Sequence, residues 1–106
     1  MLQRDAPALV LLDDGSEAFE APEHYRKLIE THRADLLVGP VGSAATLGAA
    51  ATAERARRVL VNATGASRLV HRSRYRYVFQ VPAPYAAYGS GALEIAQRQG
   101  MRRLFI

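Results

Sequence analysis

Apolar residues along this chain fall into short continuous blocks separated by longer segments of helical spacing. Ala8-Leu9-Val10-Leu11-Leu12 is unbroken and closes on Asp13-Asp14-Gly15-Ser16. A short all-apolar run ending in turn residues predicts a strand buried on both faces. Ala21, Tyr25, Leu28, Ile29 and His32 then recur on one helical face. Pro22 suits the first turn of that helix, where a missing N–H costs nothing. Glu20 and Glu23, ahead of Arg26 and Lys27, complement the helix dipole. Leu36-Leu37-Val38 predicts a second strand that stops at Gly39-Pro40, and an alanine-rich helix follows over about 43–56. Val59-Leu60-Val61 predicts a third strand, broken by Asn62 and the Ala63-Thr64-Gly65-Ala66-Ser67 loop. The alternating, β-rich stretch 75–81 predicts a fourth strand ending at Pro82. Residues 85–99 have helical spacing through Tyr88, Ala92, Ile95 and Ala96, with Gly100 as the C-terminal cap. Residues 103–106 open a further strand.

The predicted order is therefore β-α-β-α-β-β-α-β. Strands alternating with helices imply right-handed crossovers and a mainly parallel sheet. The expected fold class is α/β, a doubly wound, mainly parallel sheet forming a Rossmann-like lobe. No internal repeat or low-complexity linker divides the chain, so residues 1–106 read as a single domain.

Composition narrows the possibilities. The chain has 106 residues, 49% of them hydrophobic and 23% charged, which suits a packed globular domain rather than a disordered tail. With no cysteine it offers no disulfide framework, zinc ribbon or thiol nucleophile. The longest apolar stretches, 6–12 and 44–53, are too short to cross a bilayer. Met1-Leu2-Gln3-Arg4-Asp5 is charged and leads straight into an apolar run, so no signal peptide is read here and the chain as written reads as soluble and unexported. The net charge is +4, and every basic residue except Lys27 is arginine. A GC-rich coding sequence is the simplest source of abundant arginine and alanine. A basic chain also permits contact with nucleic acid or anionic lipid.

In parallel α/β sheets, ligands collect at the carboxyl ends of the strands. Two loops there stand out. In Gly39-Pro40-Val41-Gly42-Ser43-Ala44-Ala45-Thr46, the glycines allow a tight turn and Ser43 stands where a helix cap is expected. A helix N-terminus with free N–H groups and a serine hydroxyl suits a carboxylate or phosphate; equally, Ser43 could simply cap its own helix. The second loop offers Asn62, Thr64 and Ser67 as hydrogen-bonding groups, or as side chains that satisfy the loop's own backbone. The first loop has no lysine and is not a phosphate-binding Walker loop. Gly89-Ser90-Gly91 lies inside a helical pattern, not after a strand, and is no dinucleotide site. His24, His32 and His71 are scattered without carboxylate partners at metal-ligand spacing, and Asp13 and Asp14 read as turn residues. No nucleophile elbow is present. No catalysis, cofactor or metal is expected. The Arg68 to Tyr77 segment, which mixes arginines with tyrosines, could clamp phosphates and stack bases; it reads equally as an exposed loop leading into a half-solvated strand.

Taken together, these segments resemble a known family. Residues 8–15 look like the strand and Asp-rich turn of type I periplasmic binding proteins, and specifically of the leucine/isoleucine/valine-binding group. That group supplies the substrate receptors of branched-chain amino-acid ABC transporters. Leu28-Ile29 followed by Ala34-Asp35-Leu36-Leu37-Val38-Gly39-Pro40-Val41-Gly42-Ser43-Ala44-Ala45-Thr46 is similar to the family's Val-Asp-Ala-Ile-Ile-Gly-Pro-x-x-Ser-x-x-Thr stretch. Val61-Asn62-Ala63-Thr64-Gly65-Ala66-Ser67 resembles its next ligand loop. Tyr75-Arg76-Tyr77-Val78-Phe79-Gln80-Val81 resembles its Tyr-x-Tyr-hydrophobic-Phe-Arg strand, with Gln80 where arginine is usual.

The resemblance implies a receptor without catalysis that holds an amino acid or similar carboxylate between two α/β lobes. It works with the membrane subunits of an ABC transporter in the periplasm. It implies that Ser43 and the Ala44 N–H hold the ligand carboxylate, and that Asn62, Thr64, Gly65 and Ala66 hold the amino-acid head, with Ser67 a weaker candidate. It also implies that this chain is a partial N-terminal lobe, with residues 103–106 beginning the second. It further implies that counterparts of the family's leader, first strand and most of the second lobe are missing from this sequence. Such a half-site would leave ligand exposed, and a Kd weaker than about 10 μM, roughly −7 kcal/mol, is expected for leucine or valine. A cytoplasmic amide or amino-acid sensor of the same fold, and a small basic nucleic-acid-binding module, are the alternatives.

Overall fold

The computed structural model describes residues 7–103. Four helices and three strands alternate among them: α1 (Ala21–Glu30), β1 (Leu36–Val38), α2 (Ser43–Ala56), β2 (Val59–Asn62), α3 (Arg68–Arg72), β3 (Val78–Gln80) and α4 (Ser90–Arg98), with 3-10 turns at Ala18–Glu20 and Tyr85–Ala87. The sheet runs β1-β2-β3 and both pairings are parallel, with Leu37 opposite Leu60 and Leu60 opposite Val78. The α/β parallel architecture expected from the sequence is therefore present, as an open and incomplete sheet.

The core lies on one face of that sheet. Leu37 and Leu60 point into it, with Tyr25 of α1, Val70 of α3 and three alanines of α2, Ala49, Ala50 and Ala53. Alanine lets α2 sit close to the strands, because no long side chain holds it away. Its partner α1 approaches equally closely: a Cβ added at Gly48 would stand 2.7 Å from the Pro22 ring. On the other face Leu36, Val38 and Phe79 are more than half exposed. Among the described residues no second helical layer covers them, so the doubly wound arrangement is only half built.

Several expectations need correction. Residues 8–12 form no strand: Leu9 is 90% exposed, Leu11 85%, and no sheet partner pairs with the segment among the described residues. Apolar patterning can nominate a strand, but only a neighbouring strand can complete its ladder. Strands β2 and β3 are not directly consecutive; α3 lies between them, with the Ser67 hydroxyl accepting the Leu69 N–H at its start. Parallel pairing requires a crossover, and the short basic segment 68–72 supplies it. The fourth predicted strand shrinks to Val78–Gln80. Ahead of it, the Glu54 carboxylate accepts the Arg76 and Tyr77 N–H groups at 3.1 and 2.9 Å. His32 falls beyond the end of α1 and is exposed. The single helix expected over 85–99 divides into a 3-10 turn and α4; of its predicted apolar face only Ala96 is buried. Gly100 does take a positive φ of 67° just past the helix. Arg103, where a further strand was expected to open, is irregular and exposed, and the rest of that strand, 104–106, lies outside the described residues.

The α1–α2 contact yields the first prediction. Gly48→Val places two methyl groups against a rigid proline ring and adds a β-branched residue to a helix. It should cost about 1–3 kcal/mol, read as a lower denaturant midpoint with an unchanged slope.

Candidate functional site

The parallel pairing brings the two sequence-nominated loops side by side at the carboxyl ends of β1 and β2. Val38 lies opposite Val61, so the chain leaves the sheet at neighbouring points. The Thr64 hydroxyl then donates to the Pro40 carbonyl at 2.8 Å and ties one loop to the other.

The first loop is shaped by backbone geometry. Gly39 has φ 98° and a cis peptide to Pro40, and a Cβ there would meet the Tyr25 hydroxyl at 3.1 Å. Tyr25 donates from that hydroxyl to the Val38 carbonyl at 2.9 Å, closing the end of β1. Gly42, with φ 87°, occupies the N-cap position of α2. Ser43 is thus the first helical residue and not the cap, which corrects the expectation that it caps its own helix. No side chain caps α2, and the Ser43 hydroxyl is buried without any hydrogen-bond partner. A helix leaves its first N–H groups without intrahelical partners. Here that turn contains Ser43, exposed Ala44 and buried Ala45. Thr46 closes it, its N–H and hydroxyl both donating to the Gly42 carbonyl at 3.1 and 2.7 Å. Threonine at this fourth position is a local back-bonding signal that sequence reading could have used.

The second loop is organised by Asn62. This side chain is fully buried; its carbonyl accepts the Thr64 and Gly65 N–H groups at 3.2 and 2.7 Å, and its amide N–H donates back to the Gly65 carbonyl. The Asn62 side chain therefore builds the loop and presents nothing to solvent. Gly65 and Ala66 are buried too, and a Cβ at Gly65 would collide with the Thr46 side chain. Ser67 is occupied in capping α3. Of the six nominated residues, Ala44 and Thr64 are exposed and Ser43 is half-buried, with a free hydroxyl oxygen.

A groove of about 400 Å³ runs beside β1, lined by residues 10–14, by Ala21, His24, Tyr25 and Leu28, and by the strand ends 38–41, Ala63 and Thr64. Both nominated loops line it, the first through residues 39–41 and the second through Ala63 and Thr64, but it does not reach Ser43. Among the described residues no group of three His, Asp or Glu side chains could hold a metal ion. No described helix is long and apolar enough to cross a membrane.

Residues 8–106 match the family described as periplasmic binding protein. The chain belongs to that family. Solved structures agree. LivJ of Streptococcus pneumoniae, a branched-chain amino acid transporter substrate binding protein solved with isoleucine, is 26% identical over 73% of this chain, with a TM-score of 0.68. The leucine binding protein LivK of Thermotoga maritima is 27% identical over 87%, with a TM-score of 0.76. An ABC transporter substrate-binding protein of Desulfitobacterium hafniense, at 18% identity over 88% of this chain and 28% of its own, has a TM-score of 0.77 and shares the fold. This periplasmic binding protein chain spans only 22% of LivJ and 26% of LivK. No curated protein matches it. The family and these neighbours are binding proteins and not enzymes.

The loop chemistry has two measurable consequences. Asn62→Ala would leave two N–H groups and a carbonyl of the second loop without partners, and should cost about 3 kcal/mol in equilibrium unfolding. The second concerns Tyr25. Burial, with a smaller contribution from the Asp14 charge, pushes its phenol above the ordinary tyrosine value. The folded state therefore favours the protonated form, and that stabilisation is present below about pH 10 and lost as the pH rises beyond it. Tyr25→Phe should flatten this alkaline loss in thermal melts taken across the same range.

Proposed function

We propose that the chain is part of the N-terminal lobe of a solute-binding protein for branched-chain or related amino acids, and that it works with an ABC transporter in the periplasm. One observation carries the reading: the Ser43 hydroxyl is unpartnered at the uncapped start of α2, in the loop that Thr64 ties to the second through the Pro40 carbonyl. A carboxylate fits this position, since the hydroxyl and the first-turn N–H groups all donate and the helix dipole favours negative charge. Thr64 is the exposed hydroxyl of the second loop and serves the ligand's amino-acid head. In this reading Asn62, Gly65 and Ala66 act by holding that loop in place, with any direct contact coming from backbone groups. The likeness to LivJ and LivK supports an amino acid as the ligand class.

One lobe supplies half of the ligand's surroundings, so affinity is low. Titrating the 15N-labelled chain with L-isoleucine should shift the Ser43, Ala44 and Thr64 amide resonances with a Kd of about 1 mM, roughly −4 kcal/mol. Ser43→Ala should abolish the shifts while leaving the rest of the spectrum intact. Shifts confined to other residues, or unchanged in the Ser43→Ala variant, would refute the assignment.

A further inference from the structure

The end of the sheet opposite these loops has its own chemistry. In a parallel sheet every helix-to-strand turn falls at the amino edge, and in the order β1-β2-β3 the three turns stand side by side, about 4.8 Å per strand. Each turn contains an arginine in the left-handed conformation: Arg33 with φ 55° after α1, Arg57 with φ 53° at the end of α2, and Arg74 with φ 49° after α3. Glycine or asparagine is the usual occupant of such a position, because a side chain there is disfavoured. A helix dipole rewards basic residues within the last turn, but it does not require them at the strained position itself. Arg58 and Arg76 extend the same edge. Its turns are in mutual contact: Arg58 approaches Asp35 at 4.0 Å, and Glu54 receives the Arg76 and Tyr77 N–H groups. Arg33, Arg57, Arg74 and Arg76 are exposed and make no ion pair among the described residues.

Abundant arginine in the composition does not account for three of them sharing one strained conformation at one edge. We infer that this arginine edge is a docking surface for an anionic phospholipid bilayer, facing away from the candidate ligand loops. A lipid surface fits better than a nucleic acid. The arginines sit on short helix-to-strand turns, with no projecting helix or ribbon to enter a groove. The neighbouring Tyr75 and Tyr77 are half-buried, Tyr75 against the core, so they offer bases no stacking platform. Exposed guanidinium groups along one edge can meet a plane of phosphate headgroups without any matched geometry. Attraction of this kind is reversible, and salt screens it.

Substitution at these positions can remove charge while relieving the backbone. The triple variant Arg33→Gly, Arg57→Gly, Arg74→Gly replaces each disfavoured residue with one that accepts positive φ. The intact chain should co-sediment with vesicles of equal parts phosphatidylglycerol and phosphatidylcholine, and not with phosphatidylcholine alone. Raising the salt from about 0.05 to 0.5 M should release it. The triple variant should melt no lower than the parent, yet bind the anionic vesicles about a hundredfold more weakly, at about fivefold per arginine. Equal vesicle binding by parent and variant would overturn the proposal. So would binding to phosphatidylcholine alone, or tighter binding to a short DNA duplex than to the anionic vesicles.

Discussion

The seating of α2 on β1 and β2 sets the geometry of everything around it. Ala49, Ala50 and Ala53 allow the helix to lie close against Leu37 and Leu60, and Gly48 allows α1 to close over it from the other side. This is a packing constraint more than a directional one: small residues at a helix surface bring backbones together, and dispersion and the removal of water then hold them. Because α2 is fixed at that depth, its first turn meets the strand ends at one defined height. Thr46 can then stand against Gly65, and the two loops can share the hydrogen bond from Thr64 to Pro40.

The candidate site divides its labour between groups that build and groups that remain free. Asn62 supplies almost the whole internal hydrogen bonding of its loop from a fully buried position. Tyr25 closes the end of β1, and Thr46 closes the first turn of α2. The Ser43 hydroxyl, by contrast, is left without a partner. A buried polar atom left unpaired carries a desolvation cost.

Much of this was legible along the chain. The runs Leu36-Leu37-Val38 and Val59-Leu60-Val61 form strands where they were expected, and the alanine-rich stretch forms α2 with the bounds read from it. The periplasmic-binding-protein resemblance, carried by the Gly39 to Thr46 loop and the Tyr75 to Val81 stretch, agrees with the family match over residues 8–106. What could not be read was whatever depends on a partner in space. The apolar run 8–12 looks like a strand by itself, but among the described residues it has none beside it. The segment 68–72 looks like a basic loop, yet it forms α3 within the crossover that the parallel pairing of β2 and β3 requires.

The local geometry of the two loops follows from their residues alone: glycines at 39 and 42 permit the turn into α2, and threonine at 46 can bond back to its first turn. Those residues could not assign work to Ser43 or Asn62, since each had a plausible role both as structure and as ligand contact. Tertiary structure separated them. Placing α2 and the second loop together made Asn62 the internal scaffold and moved the cap of α2 to Gly42, leaving Ser43 free. The same parallel order gathered arginines far apart in the chain along one edge. Hydrogen-bond satisfaction and charge proximity are properties of neighbours in space, and a chain chooses those neighbours only by folding.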